Sequence, residues 1–464
     1  MKNVSLTFPV RPFSTRGGAK VPHRKNTAAM ETVVMSAPKE VIIPMSQHIG
    51  APCNVIVRPG DHVDVGQSIG ENDSFVTSPI HASVSGTVKK IIDLKMPNGS
   101  KVKAVVIESD GKMTKSPYAV PPAAETKEQL LLAIKRSGLV GLGGAGFPAH
   151  VKLSIPQDKK IDTLIINGAE CEPYITSDHR EILENSWDIL SGIKIVKDLL
   201  DVHRVIIGIE SNKPDAIKIL SQIAENEAAD PDDEVRILTL KSSYPQGAEK
   251  VLIRACTGRK VPAGKLPADV GCVVMNVTSV AFIAKYLKTG IPLVSKRITV
   301  DGSAIKEPKN VIVPLGTPIK DVIEFCGGYK CEPKKILMGG PMMGIALTDD
   351  SMPVLKQNNA ILAFDEKGAK LAEETDCIRC GKCLKSCPMS LMPEAIAGCV
   401  KLKDVSGLEK LNVMTCMECG SCAFNCPAHK HLVQTIREGK AMVRAEAQRK
   451  AEEQKKEEAK KNEQ

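Results

Sequence analysis

The chain has 464 residues with a formal net charge of +9, 42% of them apolar and 25% charged. That balance is globular, excludes a disordered or fibrous protein, and the length suits roughly three domains. The longest run without Asp, Glu, Lys or Arg, Val41 to Val57, carries two prolines and falls short of the ~20 apolar residues that span a bilayer.

Residues 1–40 read as an irregular, basic lead-in. The first 30 hold six basic residues (Lys2, Arg11, Arg16, Lys20, Arg24, Lys25) and no apolar core of a secretory signal. Pro9, Pro12, Pro22 and Gly17-Gly18 oppose the amphipathic helix of a transit peptide. The expectation is a cytoplasmic chain.

From residue 41 to 112, short β-like runs alternate with turns: Val55 to Val57, Val63 to Ile69 and Gly86 to Val88, broken by Arg58-Pro59-Gly60-Asp61. Such alternation predicts a small all-β barrel or sandwich. Pro59-Gly60-Asp61, Val65 to Ile69, Ser78-Pro79 and Ser85 to Val88 resemble a biotinyl/lipoyl-type barrel-sandwich. Carriers of that type load a lysine between the two halves, but no lysine lies between Lys39 and Lys89. The expectation is a docking or scaffolding module without a carrier arm.

A Pro/Ala-rich linker at 115–125 precedes a helical pattern from Thr126 to Ser137 and a glycine loop. Strand patterns then alternate with helical ones. Ile161 to Asn167, Val205 to Ile209, Val235 to Leu240 and Cys272 to Val277 predict buried strands, with helices near 178–200, 213–226 and 246–257. This order predicts an α/β domain with a mainly parallel sheet over 126–292. Short strands around a helix at 318–326 predict a small α+β domain at 297–345. The tail from Lys440 to Gln464 has fourteen charged residues of both signs in 25 and reads as a solvated helix.

Residues 372–437 carry the most specific signal. Cys377, Cys380, Cys383 and Cys387-Pro388 follow C-x2-C-x2-C-x3-C-P, and Cys416, Cys419, Cys422 and Cys426-Pro427 repeat it. Thiolates at this spacing hold three irons of a cubane, and the fourth cysteine of each run serves the other cluster. One [4Fe–4S] cluster is therefore assigned to Cys377, Cys380, Cys383 and Cys426, and the second to Cys416, Cys419, Cys422 and Cys387. A pair of structural zinc sites fits less well, because a third close cysteine and a following proline occur twice. Each oxidised cluster with its thiolates carries about −2, which brings the loaded chain to roughly +5. That charge does not indicate nucleic acid. The remaining seven of the fifteen cysteines, Cys399 among them, read as buried small hydrophobes.

Gly141-Leu142-Gly143-Gly144-Ala145-Gly146-Phe147-Pro148 contains G-x-G-x-x-G, but a helix pattern precedes it where a dinucleotide fingerprint requires a strand. Four glycines in six residues still let backbone amides approach an anion closely. Together with Lys152, Asn167-Gly168-Ala169-Glu170-Cys171-Glu172-Pro173, Tyr244…Gly247-Ala248-Glu249 and Asn276-Val277-Thr278-Ser279, the loop resembles the flavin-binding subunit of respiratory complex I. With a barrel-sandwich ahead and a two-cluster ferredoxin-like domain behind, residues 40–437 resemble the C subunits of Rnf electron transport complexes. The 297–345 domain then corresponds to the family's β-grasp domain.

The resemblance implies a multidomain α/β and α+β protein holding non-covalent FMN and two [4Fe–4S] clusters, with NAD(H) as substrate. In the family, electrons pass between ferredoxin and NAD+, coupled to Na+ or H+ translocation by membrane partners, one of them a ferredoxin-like cluster subunit. This chain would sit peripherally on the cytoplasmic face of the membrane. By resemblance, Gly141, Gly143, Gly144, Gly146, Lys152 and Asn167 line the flavin, and Phe147 offers an aromatic face to the nucleotide. Glu170, Glu172 and Glu249 border the nicotinamide or ribose, and Asn276 and Ser279 face the flavin ring and ribityl chain. Lys152, Glu172 and Glu249 are the catalytic candidates. His48, His81 and His150 read as structural. Ala169, Leu142 and Ala248 depart from the complex I pattern, which has charged residues there. Two alternatives follow: a cobalamin-reductase-like flavin/iron–sulfur protein, and a cluster-only relay adaptor without nucleotide binding.

Overall fold

The computed structural model describes residues 12–227 and 234–462. The start of the lead-in, with Lys2, Pro9 and Arg11, and the last two residues of the charged tail lie outside the described residues. Two compact units emerge: Pro22–Ser242 with Pro267–Lys370, and Phe13–Val21 with Ser243–Leu266 and the chain from Leu371 onward.

In the first unit, residues 40–109 form two antiparallel sheets, one of four strands and one of three. They enclose an apolar core that includes Val41, Ile43, Val63, Ile69, Val88 and Ile107. The hairpin Gly86–Lys95/Lys101–Ser109 is longer than the 86–88 run anticipated, because only the first part of Gly86–Lys95 alternates buried and exposed residues.

The α/β region follows. Helix Lys127–Arg136 starts at Thr126 with a reciprocal capping box to Gln129. Four strands, β1 (Thr163–Gly168), β2 (Arg204–Glu210), β3 (Glu234–Leu240) and β4 (Cys272–Asn276), make an all-parallel sheet in the order β3-β2-β1-β4. β1 is buried at five of six positions, as expected for a sheet covered on both faces. The helical pattern at 178–200 is two helices, Ser177–Glu184 and Ser186–Leu200, divided at Asn185. Gly192 lies where the second meets the helix Val277–Thr289: a Cβ there would stand 1.9 Å from the Val280 carbonyl oxygen, so only glycine permits the crossing. The predicted helix near 246–257 is Glu249–Thr257 and belongs to the second unit.

The β-grasp sheet has six strands, in the order Thr32–Val34, Lys309–Pro314, Ser295–Asp301, Ala360–Phe364, Lys335–Met338 and Ile345–Leu347. Two features depart from the sequence reading. The sheet reaches Phe364, past residue 345. Its edge strand Thr32–Val34 comes from the supposedly irregular lead-in and pairs in parallel with Asn310–Ile312. The fully buried strand Ala360–Phe364 is a five-residue apolar run without periodicity, the kind that pattern alone leaves ambiguous.

In the second unit, short helices and loops carry the cysteine runs, and one long helix, Leu432–Asn462, takes in the charged tail. Its main apolar cluster is small: Leu391, Ile396, Val400, Leu408, Val413, Ile436 and Val443.

Candidate functional site

In the sheet, the chain leaves β1 toward β2 on one side and returns to β4 on the other. The C-terminal ends of β1 and β4 therefore flank a topological switch point, where open α/β sheets bind ligands. Asn167 and Asn276 are register partners at those two ends. Asn276 caps the helix Val277–Thr289, accepting from the Thr278 and Ser279 amides. It also donates to Asp178 Oδ2 at 2.7 Å, and Thr278 Oγ1 donates to Asp178 Oδ1 at 2.8 Å.

The glycine loop is held over this point. Its base is closed by a bridge between Val140 and Pro148 and by the Gly141 amide donating to Phe147 O at 2.9 Å. Both backbone groups of Leu142 are bonded: its amide donates to Ser279 Oγ at 3.2 Å, and its carbonyl accepts from Lys296 Nζ at 2.6 Å. Burial lowers the Lys296 pKa to about 7. Gly143, Gly144 and Ala145 are exposed, and among the described residues their amides find no acceptor. A Cβ on Gly143 would stand 2.5 Å from Asn276 Nδ2, whereas Gly144 faces open space. Gly146, at φ +72°, accepts from the Ile49 amide at 3.1 Å. An open cradle of backbone amides at a switch point fits a phosphate-bearing flavin. Lys152 donates to Val274 O at 3.0 Å, which holds its ammonium near β4.

The acidic loop after β1 is turned partly inward. The Glu170 side chain keeps only 3% of its surface, and its carboxylate accepts from the Asp178 amide at 2.6 Å and the His179 amide at 3.3 Å. It thus serves the start of helix Ser177–Glu184, where Thr176 makes no side-chain cap. Burial raises its pKa to about 7, partly offset by the Lys25 charge. The Glu172 carboxylate accepts from the Met342 amide at 3.0 Å in the β-grasp turn, and a Cβ on Gly340 would collide with it. Neither carboxylate is thus a bare ligand-facing acid. Asn167 accepts from the Ala169 amide at 3.2 Å, and Lys213 Nζ donates to Ala169 O at 2.6 Å. Glu249 stands at the start of its helix in the second unit.

The second unit gathers the eight cysteines around two cavities. One is lined by Cys387 with Cys416, Cys419 and Cys422, the other by Cys426 with Cys377, Cys380 and Cys383. Each set joins three thiols of one run to the fourth of the other, a donor set that fits a [4Fe–4S] cubane. The cavities differ in exposure: Cys419 and Cys422 are buried, Cys377 and Cys380 exposed. The Leu391 amide donates to Cys387 Sγ and the Glu418 amide to Cys416 Sγ, both at 3.3 Å, bonds of the kind that tune a cluster's potential. Of the other cysteines, Cys53, Cys256, Cys272 and Cys326 are buried and Cys171 and Cys399 half-buried. Cys331 is exposed, which corrects its reading as a buried hydrophobe.

Four family models match this chain: an RnfC barrel sandwich hybrid domain (residues 13–112), a Nuo51 FMN-binding domain (134–285), an SLBB domain (297–346) and a 4Fe-4S dicluster domain (369–427). The chain is 45% identical over 443 residues to the C subunit of the proton-translocating ferredoxin:NAD(+) oxidoreductase complex of Clostridium ljungdahlii, covering 94% of this chain and 95% of that one. It is 44% identical to the Na(+)-translocating counterpart of Acetobacterium woodii, covering 94% and 98%. To the C subunit of the ion-translocating oxidoreductase complex of Rhodobacter capsulatus it is 37% identical, covering 96% and 86%. The chain belongs to the RnfC family.

As an RnfC protein it has, among its described residues, no helix long and apolar enough to cross a membrane. Two parts of its site escaped the sequence reading, both in the basic lead-in. In the second unit, Gly18 donates to Ser386 O at 2.8 Å and accepts from Asn425 Nδ2 at 3.4 Å. A Cβ on Gly17 would stand 2.7 Å from the Cys387 carbonyl carbon. In the first unit, Lys25 Nζ donates to the carbonyls of Glu170, Glu172 and Ile175. Burial lowers its pKa to about 8. Gly-Gly and a lysine in a basic stretch give no sequence signal for these roles without the fold.

Proposed function

We propose that this chain is the NAD(H)-linked subunit of a membrane electron transport complex that moves electrons between ferredoxin and NAD(H) and couples them to Na+ or H+ translocation. It sits peripherally on the cytoplasmic face. The observation that carries the reading is the pairing, in one chain, of an amide cradle at the β1/β4 switch point with two crossed sets of four thiols. The chemistry supplied by FMN and the clusters, when bound, is exchange of a hydride's two electrons at the flavin and single-electron transfer through the iron.

The residues divide the remaining work. Gly143, Gly144 and Ala145 offer amides to the flavin phosphate, and Gly143 keeps clear the space that Asn276 needs. Ser279 and Lys296 fix Leu142 and hence the loop. Lys152 contributes positive charge beside β4. Phe147, half-buried at the loop's end, offers its ring to the nucleotide. Glu172 is read as a border residue of the nicotinamide site, acting through the β-grasp turn that it holds. Glu170 organises the loop from within.

No observation favours a cobalamin-reductase-like protein, and the barrel-sandwich front argues against one. The cluster-only adaptor rests on Ala169 and Leu142. Leu142 is 2% exposed, packed in the core and bonded at both backbone groups, so that position anchors the loop. Purified protein loaded with FMN and iron–sulfur clusters is expected to reduce ferricyanide with NADH. Absence of this activity in a protein that retains both cofactors would contradict the reading.

A further inference from the structure

No cofactor motif absorbs the segment Pro22–Ala28, yet it is laced to the acidic loop along its length. The Tyr174 amide donates to His23 O at 3.0 Å. Lys25 Nζ reaches Glu170 O at 2.7 Å, Glu172 O at 2.9 Å and Ile175 O at 2.5 Å. Thr27 Oγ1 meets Thr176 Oγ1 at 2.5 Å. The same segment is anchored in the β-grasp sheet: Asn26 Nδ2 donates to Asp301 Oδ2 at 3.1 Å, and Asn310 Nδ2 donates to Thr27 O at 2.9 Å. The strand Thr32–Val34 then continues into that sheet's edge.

The acidic loop needs such an anchor. Glu170 and Tyr174 lie at φ +48° and +70°, a region that non-glycine residues occupy only when their surroundings over-determine it. The three carbonyls bound by Lys25 begin with that of Glu170 itself and flank Tyr174 on both sides. An ammonium has three donors and no acceptor, so one lysine satisfies all three. A carbonyl turned toward the ammonium is turned away from any ligand, and this fixes which edge of each peptide plane the loop presents. The Lys25 side chain keeps 14% of its surface and stands 4.0 Å from Glu170 Oε2, so its charge is also opposed by the carboxylate inside the loop.

We propose that Lys25 is a positioning residue for nicotinamide nucleotide binding: by gathering the carbonyls of Glu170, Glu172 and Ile175 it sets the conformation of the loop that meets NAD(H). This rests on the reading above that the loop borders the nucleotide. Flavin binding, which depends on the glycine loop, is a separate matter and is expected to be independent of Lys25.

The test uses the full chain, reconstituted with iron, sulfide and FMN, as parent, Lys25→Met and Thr27→Val. NADH–ferricyanide kinetics give KM and kcat, and flavin fluorescence gives the FMN dissociation constant. Lys25→Met is expected to raise the NADH KM roughly tenfold or more, the scale of a misplaced positioning group. The kcat should fall less, and FMN affinity and iron content should hold. Thr27→Val, which loses only the hydroxyl contact to Thr176, should shift KM the same way by a smaller factor. An unchanged KM in flavin-loaded Lys25→Met would overturn the inference alone. So would loss of FMN affinity in parallel with KM, which would mark a general structural role. If Lys25→Met does not retain its cofactors, Thr27→Val decides, and an unchanged KM there overturns the proposal. A loaded parent that does not oxidise NADH would remove the nucleotide-site reading and this inference with it.

Discussion

In the α/β region the ligand loops are held from beneath by buried ammonium groups. Lys213 takes Ala169 O at 2.6 Å and Lys296 takes Leu142 O at 2.6 Å, while the strands below are packed almost without exposure. In the cysteine region, eight thiols surround two cavities beside small apolar clusters. Burial pushes the Cys422 thiol up to about 12, with the Cys419 and Cys416 thiols adding to the effect. An iron ligand must be a thiolate, so the metal supplies what that pocket's own environment opposes. The loops of the first region are fixed by protein groups. The second is expected to gain part of its organisation from the cofactor.

The largest effect should follow from breaking the cysteine side. Cys422→Ser is expected to lower bound iron from about eight to about four per chain and to loosen the second unit, while the α/β region keeps its fold. Iron analysis with hydrogen exchange on the strand Arg204–Glu210 checks both halves of that statement. Cys380→Ser, at the exposed pocket, should cost as much iron with less loss of structure.

Next comes the cradle. Gly143→Val places carbon atoms against Asn276 and should lower FMN affinity by about 5- to 150-fold, the equivalent of ~1–3 kcal/mol for a displaced buried polar group. Both clusters should remain, and a flavin titration beside an iron assay would show whether they do.

A pH-dependent effect on stability belongs to the barrel-sandwich. His81 and His48 are held neutral, at about 3 and about 4, by burial and by the nearby Lys356 charge. The unfolded chain takes up these protons near 6.5, so their contribution is complete above that pH and is lost as pH falls toward the folded values. Each histidine costs up to ~1.4 kcal/mol per pH unit in that window. Exchange protection of Lys101–Ser109 should fall between pH 6.5 and 4.5, and His81→Leu should flatten the fall. The smallest change is expected for Ser279→Ala, which removes one bond to Leu142 worth ~1 kcal/mol and should weaken FMN binding severalfold at most.

Much of this arrangement was legible in the sequence. The four strands of the parallel sheet stand out as short apolar runs because their residues are buried on both faces. The crossed cysteine sets follow from spacing, since ligands within one tight turn meet one cluster. Less legible were roles decided by distant partners. Lys25 in a basic stretch reads as a solvated charge until three carbonyls some 145–150 positions away are brought to it. Glu170 and Glu172 read as ligand-facing acids because nothing local reveals the helix start and the β-grasp turn that take their oxygens. Thr32–Val34 is a three-residue edge strand with mostly exposed side chains, too short and too open to leave a periodic signal.

The central claim is that one chain joins an NADH-reducible flavin to two clusters. The most direct test is anaerobic reconstitution with iron, sulfide and FMN, followed by an absorbance-monitored NADH titration. About eight irons and one flavin per chain, with the flavin absorbance bleached by NADH, is the predicted result. Eight irons with no bound flavin would contradict it and leave the glycine loop a purely structural turn.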